Sequence, residues 1–127
     1  MVFTKAAIVS MIIAYSQMVG VDHRVALAIA KVESNYVYNA VSSDKEDWGV
    51  FQIRAKYHPE FSKKELLNPH TNIILGLLMI KEAKQGCKHK LAHTWTVCYN
   101  RGIAGGKKVK DASKDKYVKK VRLAMEY

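Results

Sequence analysis

The residue best placed for chemistry is Glu33, a carboxylate at the end of an almost wholly apolar stretch. The apolar residues before it recur at the spacing of a helix with one buried face. The positions on that face are Val25, Ala28, Ile29 and Val32. A carboxyl group at the edge of an apolar surface is poorly solvated, so its pKa is raised, as a general acid near neutral pH requires. The alternative is a glutamate that merely faces water at a helix end.

A polar side chain inside an apolar turn is the second chemical signal. Gln52 lies within the compact segment 48–53, after a loop rich in turn-forming residues. A buried amide needs hydrogen-bond partners, so Gln52 either pairs internally or faces a ligand. Loops held on a helical scaffold often carry function, which makes this loop a candidate site.

Four short motifs follow one another along the chain with consistent gaps. They are Glu33-Ser34, Gly49-Val50-Phe51-Gln52-Ile53, Tyr99-Asn100-Arg101-Gly102 and Tyr117-Val118-Lys119-Lys120-Val121. In this order they resemble the signatures of the lytic transglycosylase (soluble-lytic-transglycosylase-like) domain of the lysozyme superfamily. The resemblance extends from the first predicted helix to the last. It implies a mainly α fold, a single lysozyme-like domain over residues 1–127, with a loop or small hairpin between the catalytic helix and the later helices.

The resemblance also assigns roles to individual residues. Glu33 would protonate the glycosidic oxygen and then act as a base, and Tyr99 would lie beside it and help to position it. Gln52 and Asn100 would hydrogen-bond N-acetyl groups of the substrate. The remaining substrate-binding positions would be Ser42, which lines the cleft, Gly49, which lets the turn approach the sugar, and Tyr117. Taken alone, Tyr99 could equally be a core residue and Asn100 a helix C-cap.

Two reactions are compatible with these motifs. A transglycosylase of this family cleaves the MurNAc–GlcNAc bond of peptidoglycan with one glutamate and leaves a 1,6-anhydro sugar, whereas hydrolysis normally uses two carboxylates. Residues 47–53 are also similar to the Asp-Tyr-Gly-Ile-x-Gln-Ile motif of animal lysozymes, which makes Asp47 a candidate second carboxylate for a hydrolytic muramidase. The chain departs from the transglycosylase pattern at Val50-Phe51 and at Arg101, which replaces a small residue. We favour the transglycosylase.

The overall charge restricts the class of partner. The chain has 127 residues, 49% of them hydrophobic, and a formal net charge of +10. This excess indicates a polyanionic partner, and peptidoglycan strands in the periplasm or cell wall fit the motifs. A non-catalytic basic protein that binds cell wall or nucleic acid is the alternative from another class. Nucleic acid is disfavoured because no binding motif is present and the aromatic residues are not interleaved with the basic ones. We expect a monomer without membrane insertion, and a phage-encoded lysin or virion enzyme suits this form.

The cysteines and histidines are compatible with more than one interpretation. Cys87 and Cys98 could form one disulfide or remain two thiols, and the helix-like surroundings of Cys98 favour free thiols. His89 and His93 lie at i, i+4 on a predicted helix, but no zinc-protease glutamate follows and no third ligand is evident. We therefore expect no metal and no cofactor.

Local signals predict the helices that must position these residues. The apolar run Ala6–Tyr15 could be a signal peptide, but its helical stripe favours a first helix that ends near Gly20. The predicted N-caps are Asp22 for the Glu33 helix, Ser62 for a short turn through Leu67, and Asn68 or Thr71 for a helix ending near Gly86. Beyond these we predict a helix from Lys88 to Asn100 that buries Leu91, Trp95 and Cys98, a flexible glycine segment at 102–106, and a last helix from Asp111 or Ser113.

Overall fold

The first two helices begin and end where their capping residues predict. In the computed structural model, which describes residues 2–126, α1 spans Lys5–Val19 and α2 spans His23–Ser34. Gly20 ends α1 in the left-handed conformation, with φ of 84°, and donates its backbone N–H to Ser16. The Asp22 carboxylate accepts a hydrogen bond from the backbone of Arg24 at the start of α2. Both cap predictions are confirmed.

A small hairpin follows α2, as predicted. Strand β1, Asp47–Trp48, pairs antiparallel with β2, Ile53–Arg54, so that Asp47 lies opposite Arg54. An isolated bridge joins Val41 to Trp48 and extends the pairing by one residue. The turn between the strands packs inward, because Val50 and Phe51 are buried.

The middle helices are confirmed as well. Ser62 and Glu65 form a reciprocal capping box at the start of α3, Lys63–Leu67. Asn68 caps α4, Pro69–Gly86, with Pro69 in the first turn, where a missing N–H costs nothing. Ile73, Leu77 and Ile80 of α4 face the core, whereas Ile74 and Leu78 of the same helix are exposed.

The predicted helix from Lys88 to Asn100 is wrong. Residues Leu91–His93 form a 3₁₀ turn, and Ala92 and His93 both adopt positive φ, which an α-helix cannot accommodate. The helix α5 spans only Thr96–Arg101. Leu91 therefore points outward, 82% exposed, whereas Trp95 and Cys98 are buried as predicted. His89 and His93 do not share a helix.

The glycines at 102–106 form structure rather than a flexible segment. Gly102 turns the chain with φ of 79°, and α6 spans Ile103–Lys107. A Cβ on Gly106 would lie 2.5 Å from Cys98 Sγ, so this glycine permits close contact between α6 and α5. The last helix, α7, spans Lys116–Met125 and begins later than predicted, because Asp115 is its N-cap.

The expectation of free thiols is also wrong, because Cys87 and Cys98 form a disulfide with their Cα atoms 6.0 Å apart. Cys87 follows α4 directly, and the break in the chain before α5 turns Cys98 back towards it. A continuous helix from Lys88 would have carried Cys98 away. The disulfide therefore goes together with the non-helical segment that the sequence pattern did not reveal.

The core is formed where α1, α2 and α4 meet the hairpin turn and α5. Its largest fully buried side chains include Trp95, Phe51, Ile8, Ile12, Ile29 and Leu77. The helix α7 packs against α2 and so brings together residues that are far apart in the sequence. Within residues 2–126, no helix combines the length and apolarity needed to cross a bilayer.

Candidate active site

Two hydrogen bonds, one to the hairpin turn and one within the α2 region, fix the end of α2. Ser34 donates its hydroxyl to the backbone oxygen of Val50 at 2.7 Å, which ties the helix end to the hairpin turn. The Tyr36 hydroxyl donates to Leu27 at 3.1 Å and closes the segment back over α2. Glu33 thus occupies a position held by packing on one side and by hydrogen bonds on the other.

The surroundings of Glu33 suit a proton donor. Burial is the main effect and raises its pKa from 4.5 to about 7. The negative charge of Asp47 acts in the same direction. The Tyr117 hydroxyl opposes them, because it donates a hydrogen bond to Glu33 Oε2 at 2.8 Å and favours the ionised form. Glu33 therefore holds its proton up to about neutral pH.

Glu33 lines two neighbouring cavities, which are together called the cleft. The hairpin compartment, of about 530 Å³, lies towards the β-hairpin, and the lysine compartment, of about 610 Å³, lies towards the start of α7. Both are lined by Glu33, Asn100 and Arg101. The other residues of the hairpin compartment are Asp47, Phe51, Gln52, Arg54, Tyr57, Met79, Tyr99 and Gly102. Those of the lysine compartment are Val32, Lys114, Asp115, Lys116, Tyr117 and Lys120.

The two tyrosines of the motifs occupy different positions around Glu33. Tyr117 contacts the carboxylate directly. Tyr99 lines the hairpin compartment with Glu33, but its hydroxyl donates to the Phe51 backbone at 3.3 Å. Burial and the Glu33 charge both raise the pKa of Tyr99 well above its ordinary value, so it remains a neutral donor. Its predicted role in positioning Glu33 is therefore left as a prediction.

Asp47 is in the same compartment as Glu33 but is already paired. Its two oxygens accept hydrogen bonds from Arg54 Nε at 3.0 Å and Nη2 at 3.2 Å. The hairpin register places Asp47 opposite Arg54 and so allows this bidentate contact. Arg54 also contacts Glu46, at 3.5 Å. The pair links both strands of the hairpin beside Glu33.

The polar residues of the loop serve its own structure as well as the cleft. Gln52, at a positive φ of 51°, donates its side-chain amide to the Gly49 and Ala40 carbonyls at 2.9 and 3.2 Å, and it also lines the hairpin compartment. Gly49 is buried, and a Cβ there would lie 2.3 Å from the amide nitrogen of Asn72. Ser42 accepts from the Asp47 backbone at 3.0 Å and does not line either compartment.

Several residues that shape the cleft have no motif. Asn72, fully buried in α4, bonds Phe51 N, Trp48 O and Leu66 O and so anchors the hairpin turn. The available signal in the sequence was an amide directly before the apolar run of α4. Tyr57, which is 68% exposed, lines the hairpin compartment and presents an aromatic side chain there.

The unusual Arg101 has a clear partner. It donates to the Asp115 carboxylate at 2.7 Å, while Asp115 also caps α7 through the backbone of Tyr117 and Val118. These contacts link the Tyr-Asn-Arg-Gly segment to the helix that delivers Tyr117. The sequence marked Arg101 only as a departure from the family pattern.

Replacing Tyr117 with phenylalanine should shift the pH dependence of activity. Without the hydroxyl, the ionised form of Glu33 loses a hydrogen bond, so the pKa of Glu33 rises above about 7. A general acid is then protonated to higher pH, and the alkaline limb of kcat/KM should move upward by on the order of one pH unit. Tyr99→Phe is the matched control, because that hydroxyl bonds Phe51 rather than Glu33. Equal shifts in both variants would contradict the assignment.

The architecture of seven α-helices with one two-stranded hairpin, within residues 2–126, is that of a single lysozyme-like α domain. Within that part of the chain, no histidine, cysteine, aspartate and glutamate side chains are grouped so as to hold a metal ion.

Residues 10–122 match the family described as Transglycosylase SLT domain, and the chain belongs to this family. The resemblance drawn from the four motifs is thereby confirmed. A comparison with curated proteins returns no match. Membership of the family supports a peptidoglycan-cleaving role of the lytic transglycosylase type.

Proposed function

We propose that the protein cleaves the MurNAc–GlcNAc bond of peptidoglycan with Glu33 as the single acid and base, giving 1,6-anhydro ends. The observation that carries the proposal is the position of Glu33, whose pKa is raised to about 7 at the junction of the two cleft compartments. A carboxylic acid that is protonated near neutral pH can give its proton to a leaving oxygen and accept one later in the same cycle.

The proposed cycle balances with one carboxyl group. Protonated Glu33 gives its proton to the glycosidic oxygen as the bond to C1 of MurNAc breaks. The acetamido oxygen of the same sugar bonds to C1 and takes up the electron deficiency. The Glu33 carboxylate then removes the proton of the C6 hydroxyl, whose oxygen bonds to C1 and displaces the acetamido oxygen. Glu33 ends protonated, and no water is consumed.

The surrounding residues support both halves of the cycle. The Tyr117 hydrogen bond favours ionised Glu33, which is the form left after the first proton transfer. Burial favours protonated Glu33, which is the form that starts the reaction. These opposed effects keep the two protonation states close in free energy. Gln52 and Asn100 line the cleft beside Glu33 and are proposed to bind N-acetyl groups.

The hydrolytic muramidase is the second candidate, and Asp47 is the observation that favours it. Asp47 lines the same compartment as Glu33, so it could act as the second carboxylate. Against this, both of its oxygens accept hydrogen bonds from Arg54, which lowers their nucleophilicity. We therefore propose that Asp47 holds the hairpin and adds negative charge near Glu33.

The products and an Asp47→Asn variant test this choice. Mass spectrometry of digested strands should show 1,6-anhydro ends, one water lighter than reducing ends. Asp47→Asn should retain activity within about tenfold of wild type, because the reaction needs no second carboxylate. Glu46→Gln is the matched control, since Glu46 also contacts Arg54 but does not line the cleft. Mostly reducing ends, with Asp47→Asn nearly inactive, would establish the muramidase instead.

We propose further that the protein acts as a monomer in the bacterial periplasm or cell wall, as a phage-encoded lysin would. The net charge of +10 supports attraction to an anionic envelope. The non-catalytic alternative, a basic protein that binds wall or nucleic acid, predicts binding without any released fragments. The product experiment therefore tests this alternative as well.

A further inference from the structure

The two compartments of the cleft differ in charge. In the hairpin compartment, the one cationic side chain besides the shared Arg101 is Arg54, which is already bound to Asp47. The lysine compartment carries Lys114, Lys116 and Lys120, all exposed. The cleft is therefore basic on one side of Glu33 only.

The three lysines are not neutralised by nearby acids. Besides Glu33, the one carboxylate that lines this compartment is Asp115, which is 4% exposed and bound to Arg101 at 2.7 Å. The pKa of Asp111 is lowered mainly by the hydrogen bond from the Ser113 hydroxyl and to a smaller extent by the charge of Lys114. Asp111 and Lys114 form no ion pair within residues 2–126. Lys116 and Lys120 likewise pair with no carboxylate within residues 2–126.

An uncharged glycan gives no reason for such a compartment. The sugar backbone of peptidoglycan is neutral, whereas the peptide stems on the lactyl groups of MurNAc carry carboxylates. In the proposed reaction the cleaved bond lies at Glu33, so a stem on that MurNAc starts beside Glu33. The lysine compartment begins at Glu33 and has about 610 Å³ of space, enough to receive part of a stem.

Building on the proposed function, we propose that the lysine compartment binds the carboxylates of a peptide stem beside the cleaved bond. Lys114, Lys116 and Lys120 are specificity-determining residues, and the enzyme prefers strands that carry stems to strands stripped of them. The lysines are flexible point charges, which suits carboxylates at variable positions along a stem. Phosphate groups of wall polymers share this anionic chemistry, and the experiment removes them.

The experiment compares two triple variants of equal charge. One is Lys114→Gln/Lys116→Gln/Lys120→Gln, and the control is Lys107→Gln/Lys108→Gln/Lys119→Gln, whose exposed lysines do not line the compartment. Each variant loses three positive charges, so general attraction to an anionic wall falls equally. Soluble glycan strands are first freed of phosphate polymers, and half of them are then stripped of stems by an amidase. The lactyl carboxylates that the amidase exposes are converted to amides, so that the stripped strands carry no carboxylate.

The readout is the ratio of kcat/KM on stem-bearing strands to that on stripped strands. We expect wild type and the control to share a ratio on the order of ten, and the compartment variant to fall towards one, chiefly through KM. A ratio near one for wild type, or the same fall in the control, would overturn the proposal. Wild type that cleaves neither strand would overturn the proposed function itself, which is a separate outcome from cleavage without preference.

Discussion

Glu33→Gln is expected to keep the fold and lose activity on peptidoglycan by on the order of 10² to 10⁴. The amide has the size of the carboxyl group, and its oxygen can still accept the Tyr117 hydrogen bond. It cannot deliver a proton to the glycosidic oxygen. Release of soluble fragments from purified walls, followed against enzyme concentration, measures the loss.

The stability of the same variant separates chemistry from folding. Glu33 has a pKa of about 7 in the folded chain and 4.5 as its ordinary value, so between these pH values the folded chain binds more protons than the unfolded chain. Stability should therefore fall as pH rises through this window in the wild type, and less so in Glu33→Gln. Urea unfolding at pH 5 and pH 8 tests the difference. A stable variant with near wild-type activity would remove Glu33 from the mechanism.

Loss of the disulfide should be the largest single effect on stability. The bond joins Cys87 and Cys98, which are 11 residues apart, and closing a loop of this size stabilises a fold by about 3 kcal/mol. For a domain of ordinary stability this is a large fraction of the whole. Cys87→Ser/Cys98→Ser should lower the free energy of unfolding by this amount. The dependence of that free energy on urea concentration should change little.

The wild-type protein in a reducing agent is the matched control for that variant, because it lacks the bond but keeps both sulfur atoms. Both forms should unfold at similar urea concentrations, below that of the oxidised protein. Titration of two thiols in the unreduced protein, or identical unfolding with and without the reducing agent, would contradict the disulfide. Activity should also fall at temperatures where the reduced form begins to unfold. Cys98 is followed directly by Tyr99, which lines the hairpin compartment, so loss of order at Cys98 also disturbs the cleft.

The parts of the fold that were predicted correctly depend on neighbouring residues. The side chains of Asp22, Ser62 and Asn68 each accept a hydrogen bond from the backbone N–H two or three residues ahead. A few adjacent residues therefore contain the information that starts these helices. Gly20 ends α1 because glycine adopts the left-handed conformation without strain, which is also a local property. The site motifs are also short stretches of adjacent residues. Their order along the chain is enough to indicate the family.

The parts that were missed depend on contacts between distant residues. The positive φ of Ala92 and His93 has no sequence signal, and the segment takes this path together with the disulfide and the packing of Trp95. In the sequence Asn72 is one polar residue in a helix, and its role becomes visible only with the hairpin turn packed against it. The ion pair of Arg101 with Asp115 likewise requires α7 to be docked.

The hydrogen bond between Tyr117 and Glu33 joins residues 84 positions apart, and it has a consequence for biosynthesis. Glu33 is synthesised 84 residues before Tyr117, so the α2 segment leaves the ribosome before the helix that covers it. Until α7 docks, the carboxylate is better hydrated, its pKa is closer to the ordinary value, and the lysine compartment does not exist. Nascent or prematurely terminated chains that lack α7 therefore also lack the raised pKa of Glu33, and they acquire it only when α7 docks.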